Sequence, residues 1–314
     1  MTNAPVQLAT SLRILFCGTG WSAIVPFIQR SLAAQDVNAV VALRDMHRPL
    51  AEQLVDVDVV LPSNAPFGAE ELVSATRVRL IQQPAAGYER IDLAAARARG
   101  VPVCNAPGQN VDAVAQAALL LILGLARRYP LARTAFARAE IGGPAGFELG
   151  GRTLGIVGLG RTGRRLGDAA AALGMRVEGV RSGDGRGALL SLLARADVVS
   201  LHCPLSPATR AMIDDEALAA MKPGALLINV ARGGIVDREA LERALAAGRL
   251  GGVGLDVFWE EPWSPSDALY ARDDVMTLPH VAGSTEEAFA RIADVVGRNV
   301  RAMLDGAPLL HALT

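Results

Sequence analysis

Lysine is almost missing from this sequence: Lys222 is the single one among 31 basic residues, and arginine carries the rest of the positive charge. Such Arg-rich and Ala-rich usage is compositional and says little about chemistry. No run of basic residues builds up and the formal net charge is −1, so the electrostatic footprint of a nucleic-acid binder is absent. Cysteine is scarce as well. Cys17, Cys104 and Cys203 lie far apart, with no CxxC and no Cys/His ligand spacing. That argues against a disulfide framework or a metal site and fits three reduced thiols of a cytoplasmic protein. No apolar stretch approaches the roughly 20 residues of a membrane span. The longest, around 113–126, contains Gln116 and reads as a buried helix. The N-terminus, MTNAPVQLATSLRILF, lacks a charged start followed by a long apolar run, so no signal peptide is expected.

What is present is an alternation of strands and helices, in a chain whose 314 residues are comfortable for two domains. Short β-branched and Leu-rich runs fall at 12–16, 37–43, 57–61, 78–82, 154–157, 176–180, 197–201, 225–230 and 252–256. Ala-rich helical patterns fall at 93–99, 161–173, 215–221 and 238–247. Near-continuous apolar strands alternating with helices predict an α/β fold of doubly wound parallel sheets covered on both faces. The alternation runs twice, before about residue 105 and again from about 152. A long helical pattern at 110–128 and a looser stretch at 129–151 separate the two series, and a last helical run covers 286–304.

Two glycine-rich turns compete for a dinucleotide. Glycines there permit a tight turn and a close approach of the backbone to a pyrophosphate seated on the helix N-terminus. Gly18-Thr19-Gly20-Trp21 follows the first strand, but it carries a bulky Trp21 and Pro26 interrupts the helix expected after it. Gly158, Gly160, Arg161, Thr162 and Gly163 form a full GxGxxG between a strand and an amphipathic helix, and this turn is the better cofactor site. The ribose-reading position at the end of the following strand holds Arg181 and then Ser182. An acid there would accept bonds from ribose hydroxyls; an arginine attracts a 2′-phosphate. NADP is therefore the preferred cofactor and NAD the alternative. Arg181 could equally be a solvated residue or stack on adenine, and Asp184 would supply an acid if the loop folds back.

Downstream, polar residues follow three strands: Arg232, the pair Glu260 and Glu261, and His280. Strand C-terminal ends are where ligands bind in open α/β sheets. Reducing a 2-oxo acid calls for a proton donor, supplied by a histidine whose charged form a carboxylate stabilises. It also calls for a guanidinium to hold the substrate carboxylate and polarise the carbonyl. Singly, each residue could be structural or solvated. Together, at three strand ends, they read as one acid–base set.

The stretches LGIVGLGRTGRRLG, LHCPLSPATRAMID, MKPGALLINVARGGIVDREAL, GLDVFWEEP and PHVAGST, in this order, resemble the D-isomer-specific 2-hydroxyacid dehydrogenases, of the glyoxylate/hydroxypyruvate reductase type. The resemblance covers nearly the whole chain. It implies catalytic roles for Arg232, Glu261 (rather than Glu260) and His280. It implies cofactor contacts at Cys203, Pro204, Thr209, Val230, Ala231, Asp256, His280 and Gly283, with Asp256 on the nicotinamide carboxamide. Main-chain N–H groups of Ala86 and Gly87, with Arg232, would take the substrate carboxylate. The family fold is two Rossmann-like domains with an active-site cleft between them, here 1–105 plus 286–314 for substrate and 106–285 for the dinucleotide. Residues 129–151 match the arm that joins family homodimers. The implied reaction is hydride transfer between NAD(P)H and a small 2-oxo acid or D-2-hydroxy acid, with no metal, nucleic-acid or membrane partner. The alternative is a dinucleotide-sensing protein of the co-repressor type without physiological turnover. Departures from the family pattern fall at Gln116, Tyr88, Trp259 and Trp263; the two indoles are either substrate walls or core.

Overall fold

A computed structural model describes residues 11–314; residues 1–10, on which most of the signal-peptide expectation rests, lie outside the described residues. The chain forms two compact units, one of residues 11–110 with Ser284–Thr314 and one of Val111–Gly283.

The first unit is built on five parallel strands, β1 (Leu12–Phe16), β2 (Ala39–Leu43), β3 (Val59–Leu61), β4 (Leu80–Gln82) and β5 (Val103–Cys104), in the order β2-β1-β3-β4-β5. Side chains alternate across β1 as the pleat requires. Ile14 and Phe16 join Val59, Leu61 and Leu80 against helices Val25–Ala34 and Glu286–Asp305. Leu15 and Cys17 face the other way, into Val60, Ile81, Phe67 and Leu72. Pro26 does not interrupt a helix, as its place in the sequence suggested. It lies in the first turn of Val25–Ala34, where a missing N–H costs nothing and φ is already suited to the helix. The long C-terminal helix is capped by Thr285, whose hydroxyl accepts from Ala288 N at 3.2 Å, and it lies on the first unit. Beyond it, Leu313 N donates to Val103 O at 2.7 Å and Cys104 bridges Ala312, so the last residues cover the free edge of β5.

The second unit holds six parallel strands, β6 (Thr153–Val157), β7 (Arg176–Val180), β8 (Val198–Leu201), β9 (Ala225–Asn229), β10 (Leu250–Leu255) and β11 (Val275–Thr277), in the order β11-β10-β9-β8-β6-β7. Both units therefore share one winding: the second strand goes to one side of the first and the third to the other. The reversal, between β6 and β8 here, is the switch point at which such sheets bind ligands. Leu154, Ile156, Leu226 and Ile228 pack under helices Val111–Ala126 and Arg161–Ala172. Val199, Leu201, Leu227 and Val253 pack on the opposite face with Leu192, Leu218 and Leu241. Part of the stretch at 129–151 is ordered as a helix, Tyr129–Ala137, again with a proline in its first turn. Among the described residues no helix is long and apolar enough to cross a membrane.

Candidate active site

The second unit gathers the expected polar residues at the C-terminal ends of its strands. At the switch point, Gly158 has φ 103°, and a Cβ there would come within 2.7 Å of His202 C and 2.8 Å of Cys203 N. Only glycine lets the turn after β6 lie this close to the chain leaving β8. Behind it His202 bonds Ser200 Oγ through Nε2 at 2.8 Å, and burial pushes its imidazole down to about 4, so it stays neutral under the turn. Gly160 precedes helix Arg161–Ala172 without a side-chain cap, and a Cβ on it would meet nothing within 4 Å. Gly160 and Arg161 are exposed, Thr162 is half-buried and Gly163 is buried against the strand. Open space before an uncapped helix N-terminus, with a cradle that a Cβ would fill, fits a dinucleotide pyrophosphate.

At the end of β7, Arg181 and Ser182 are exposed. The loop does fold back: Arg181 N donates to Asp184 Oδ2 at 2.7 Å. After β8, burial raises the half-buried Cys203 thiol to about 11. Thr209 spends its hydroxyl on the loop, donating to Pro204 O at 2.7 Å and accepting from Ser206 N at 2.8 Å, and thereby holds the Cys203-Pro204 turn.

After β9 the buried Asn229 forms a clamp. Its Oδ1 accepts from Ala231 N at 3.1 Å and its Nδ2 donates to Arg232 O at 2.8 Å. Val230 and Ala231 are buried, and Arg232 is half-buried with Nη1 donating to Ala231 O at 2.7 Å. Gly233 lies against the Phe258 carbonyl so closely that a Cβ would overlap it. This contact joins the arginine turn to the loop after β10. Neither Asn229 nor Gly233 stood out in the sequence as a functional residue. The available signal was an amide ending an apolar strand and a glycine pair following an arginine.

After β10, Asp256 is 1% exposed and binds the loop that carries the histidine: Oδ1 accepts from Val281 N at 2.8 Å and Ala282 N at 3.0 Å, and Oδ2 from Ala282 N at 3.1 Å. Burial raises this carboxyl to about 6, against the lowering effect of those N–H groups. Glu261 meets His280, with Oε2 2.8 Å from Nδ1, while Oε1 accepts from Phe258 N at 3.1 Å. Burial pushes Glu261 upward, but the His280 bond, the charges of His280 and Arg232 and the Phe258 N–H hold it below the ordinary glutamate range. The adjacent Glu260 is exposed. His280 itself has φ 53°, a left-handed conformation that few non-glycine residues adopt, and Gly283 is half-buried three residues on. Both indoles are half-buried against the core of the second unit: Trp263 packs on Phe258 with centroids 4.4 Å apart, and Trp259 donates from Nε1 to Val236 O at 2.7 Å.

In the first unit, the loop after β4 carries Ala86, exposed, and Gly87, half-buried, beside Tyr88 at 39% exposure. Three successive carbonyls of this loop are tied inward. Ala85 O accepts from Ala106 N at 2.9 Å, Ala86 O from Asn105 Nδ2 at 2.8 Å and Gly87 O from Gln83 Nε2 at 2.7 Å.

Residues 119–282 match the family described as D-isomer specific 2-hydroxyacid dehydrogenase, NAD binding domain. The chain is 37% identical over 278 residues to the glyoxylate reductase of Thermococcus litoralis, a match covering 82% of this chain and 83% of that protein. It is 38% identical over 253 residues to the D-3-phosphoglycerate dehydrogenase of Mycobacterium bovis, covering 76% of this chain and 47% of that one; the chain thus spans about half the length of that relative. The crystal structure of the TT0316 protein from Thermus thermophilus superposes with a TM-score of 0.83 at 33% identity, covering 96% of this chain and all of that one. By fold, by site and by these likenesses, the chain belongs to the D-isomer specific 2-hydroxyacid dehydrogenase family.

Proposed function

We propose that this protein transfers a hydride between NAD(P)H and a small 2-oxo acid, of the glyoxylate or hydroxypyruvate type, giving the D-2-hydroxy acid. The observation that carries this reading is the Glu261–His280 pair at 2.8 Å, within electrostatic reach of Arg232, on the sheet edge that also presents the glycine turn. A bound nicotinamide supplies the hydride. His280 gives a proton to the carbonyl oxygen from Nε2, the nitrogen opposite the one bonded to Glu261. Glu261 stays ionised, orients the ring and stabilises its charged form. Arg232 holds the substrate carboxylate and polarises the carbonyl, and the family resemblance gives the main-chain N–H groups of Ala86 and Gly87 a part in binding substrate. The residues that would hold the dinucleotide are Gly158 to Gly163, Cys203, Pro204, Thr209, Val230, Ala231, Asp256 and Gly283. In this reading the second unit is the dinucleotide domain and the first the substrate domain.

The finer reading of the cofactor is NADP, on Arg181 and Ser182. Asp184 gives Oδ2 to the Arg181 N–H, in the folded-back loop that would also let its carboxylate read the ribose and speak for NAD, while the Arg181 side chain is on the exposed surface where a 2′-phosphate could meet it. A homodimer in the cytoplasm completes the proposal. Phe136 at 87% exposure and Ile141, fully exposed, lie on the stretch that resembles the family arm, where a partner's arm would cover them. The decisive experiment follows nicotinamide absorbance with a panel of 2-oxo acids and both cofactors. The expected result is turnover of glyoxylate or hydroxypyruvate with NADPH favoured, and a loss of about 10²-fold or more in kcat for His280→Ala with cofactor affinity retained. Full activity in His280→Ala would undo the mechanism, and a clear NADH preference would undo the cofactor reading.

A further inference from the structure

Gln83 is 5% exposed, at the start of the loop after β4. Its side-chain amide donates twice, to Ser63 O at 2.9 Å and Gly87 O at 2.7 Å. Two carbonyl oxygens so close fix the nitrogen on that side, because the flipped amide would set oxygen against oxygen. Its Oε1 is buried and has no hydrogen-bond partner among the described residues. A side chain that only filled space here would avoid that loss by being apolar; the amide is explained by what it donates. Asn105, also 5% exposed, does the same one peptide earlier by donating to Ala86 O at 2.8 Å.

In a trans peptide the N–H points opposite to the carbonyl of the same unit. Tying Ala85 O, Ala86 O and Gly87 O inward therefore turns the N–H groups of Ala86, Gly87 and Tyr88 the other way. A second layer holds the first. Gln82 donates to Gln83 O at 3.1 Å and accepts from Asn299 Nδ2 at 2.7 Å, and Asn299 also binds Leu310 on both its amide atoms. Gln82 and Asn299 are fully buried. A relay of side-chain amides thus runs from the C-terminal helix to the loop.

We propose that Gln83 and Asn105 are positioning residues for substrate, aiming the N–H groups of Ala86, Gly87 and Tyr88 at the carboxylate of the 2-oxo acid. This rests on the function proposed above, in which that loop binds substrate. Neither side chain touches the reacting atoms; each acts through a peptide it orients.

The test uses the full chain with Gln83→Glu and Asn105→Asp, assayed with saturating cofactor across pH 5.5–8. An ionised carboxylate replaces a donor with an acceptor facing carbonyl oxygens. We expect KM for the 2-oxo acid to rise about tenfold or more, the equivalent of losing two neutral hydrogen bonds, with kcat changed less than about threefold and NADPH affinity unchanged. In Gln83→Glu the penalty should shrink toward pH 5.5, where a protonated carboxyl again donates. Gln83→Met, of similar volume, should show the raised KM at every pH. A merely structural role would not make the KM defect titrate. Wild-type KM in both acidic variants, or a Gln83→Glu defect as flat with pH as that of Gln83→Met, overturns the proposal. If the wild-type protein neither turns over any acid of the panel nor binds oxamate, it is the proposed function that falls. The positioning is then read from hydrogen exchange over residues 84–90, which must quicken in Gln83→Glu; unchanged exchange overturns it.

Discussion

Asp256→Asn separates what a residue does for stability from what it does for the site. The Asp256 carboxyl is raised from 3.8 to about 6, with burial as the leading cause. At about 1.4 kcal/mol per pH unit, the native protein disfavours its ionised form by about 3 kcal/mol, even after the N–H groups of Val281 and Ala282 have offset part of the burial. Asparagine is the neutral isostere and escapes that penalty. It places an NH2 where Oδ2 accepts from Ala282 N at 3.1 Å, which forfeits about 1 kcal/mol. The variant should therefore be more stable than wild type at pH 7.5 by about 2 kcal/mol, or about 4–8 °C for a unit of this size. Because the folded carboxyl titrates above its unfolded value, the stability it contributes is fully present below 3.8 and is lost as pH rises through about 6. The advantage of the variant should accordingly vanish by pH 4, where wild type is itself protonated. Activity should go the other way, since the same NH2 displaces the 280–282 loop that presents His280. Calorimetric melts at pH 4, 6 and 7.5, paired with kcat/KM, make the measurement. A variant less stable at pH 7.5, or a difference independent of pH, would refute the reasoning.

Three further outcomes follow from the same geometry. Gly233→Ala forces a methyl group into the Phe258 carbonyl; overpacking of this kind costs about 1–3 kcal/mol, and both Tm and kcat/KM should fall together, whereas an unchanged kcat/KM would show that the contact does not position Arg232. Arg181→Asp should reverse the cofactor ratio toward NADH in steady-state assays, and a ratio that stays put would remove Arg181 from phosphate recognition. Replacing Phe136 and Ile141 by aspartate should yield a monomer in sedimentation with each chain still folded; a dimer surviving both changes would place the interface elsewhere.

The parts of the molecule that were legible in the sequence are those encoded by near neighbours. Strand runs such as 12–16 and 176–180 recur as β1 and β7. The glycine turn, Arg232 and His280 each announced themselves by following an apolar strand. Illegible parts depend on groups brought together from a distance. Residue chemistry alone left Glu260 and Glu261 open and the family resemblance chose Glu261; the physical reason, a 2.8 Å bond to His280 nineteen residues on, was visible only in the structure. Lys222 looked like a remnant of composition, yet it pairs with Asp197 at 3.0 Å: burial pushes that carboxyl upward, and the Thr153 N–H and Lys222 hold it below its ordinary range. β5, only Val103–Cys104, is too short to show a period, and the stretch at 129–151 hid a helix behind Pro130 and its arginines. Pro26 misled because a proline's meaning depends on whether it opens a helix or interrupts one, which is a matter of one turn.

The placement of the last helix also sets the order in which the molecule can be completed during synthesis. Ile14, Phe16, Ile28 and Leu32 are made before any of the second unit, but one wall of the core they enter is Ile292, Val296 and Val300. Between Asn110 and Ser284 the ribosome must produce the entire second unit. At about 5–20 residues per second that takes roughly 10–35 s. The unit begun first is thus the unit finished last. Throughout that interval the apolar sheet face has helix Val25–Ala34 against it but lacks its second wall, and a ribosome stalled before residue 292 would leave an aggregation-prone product.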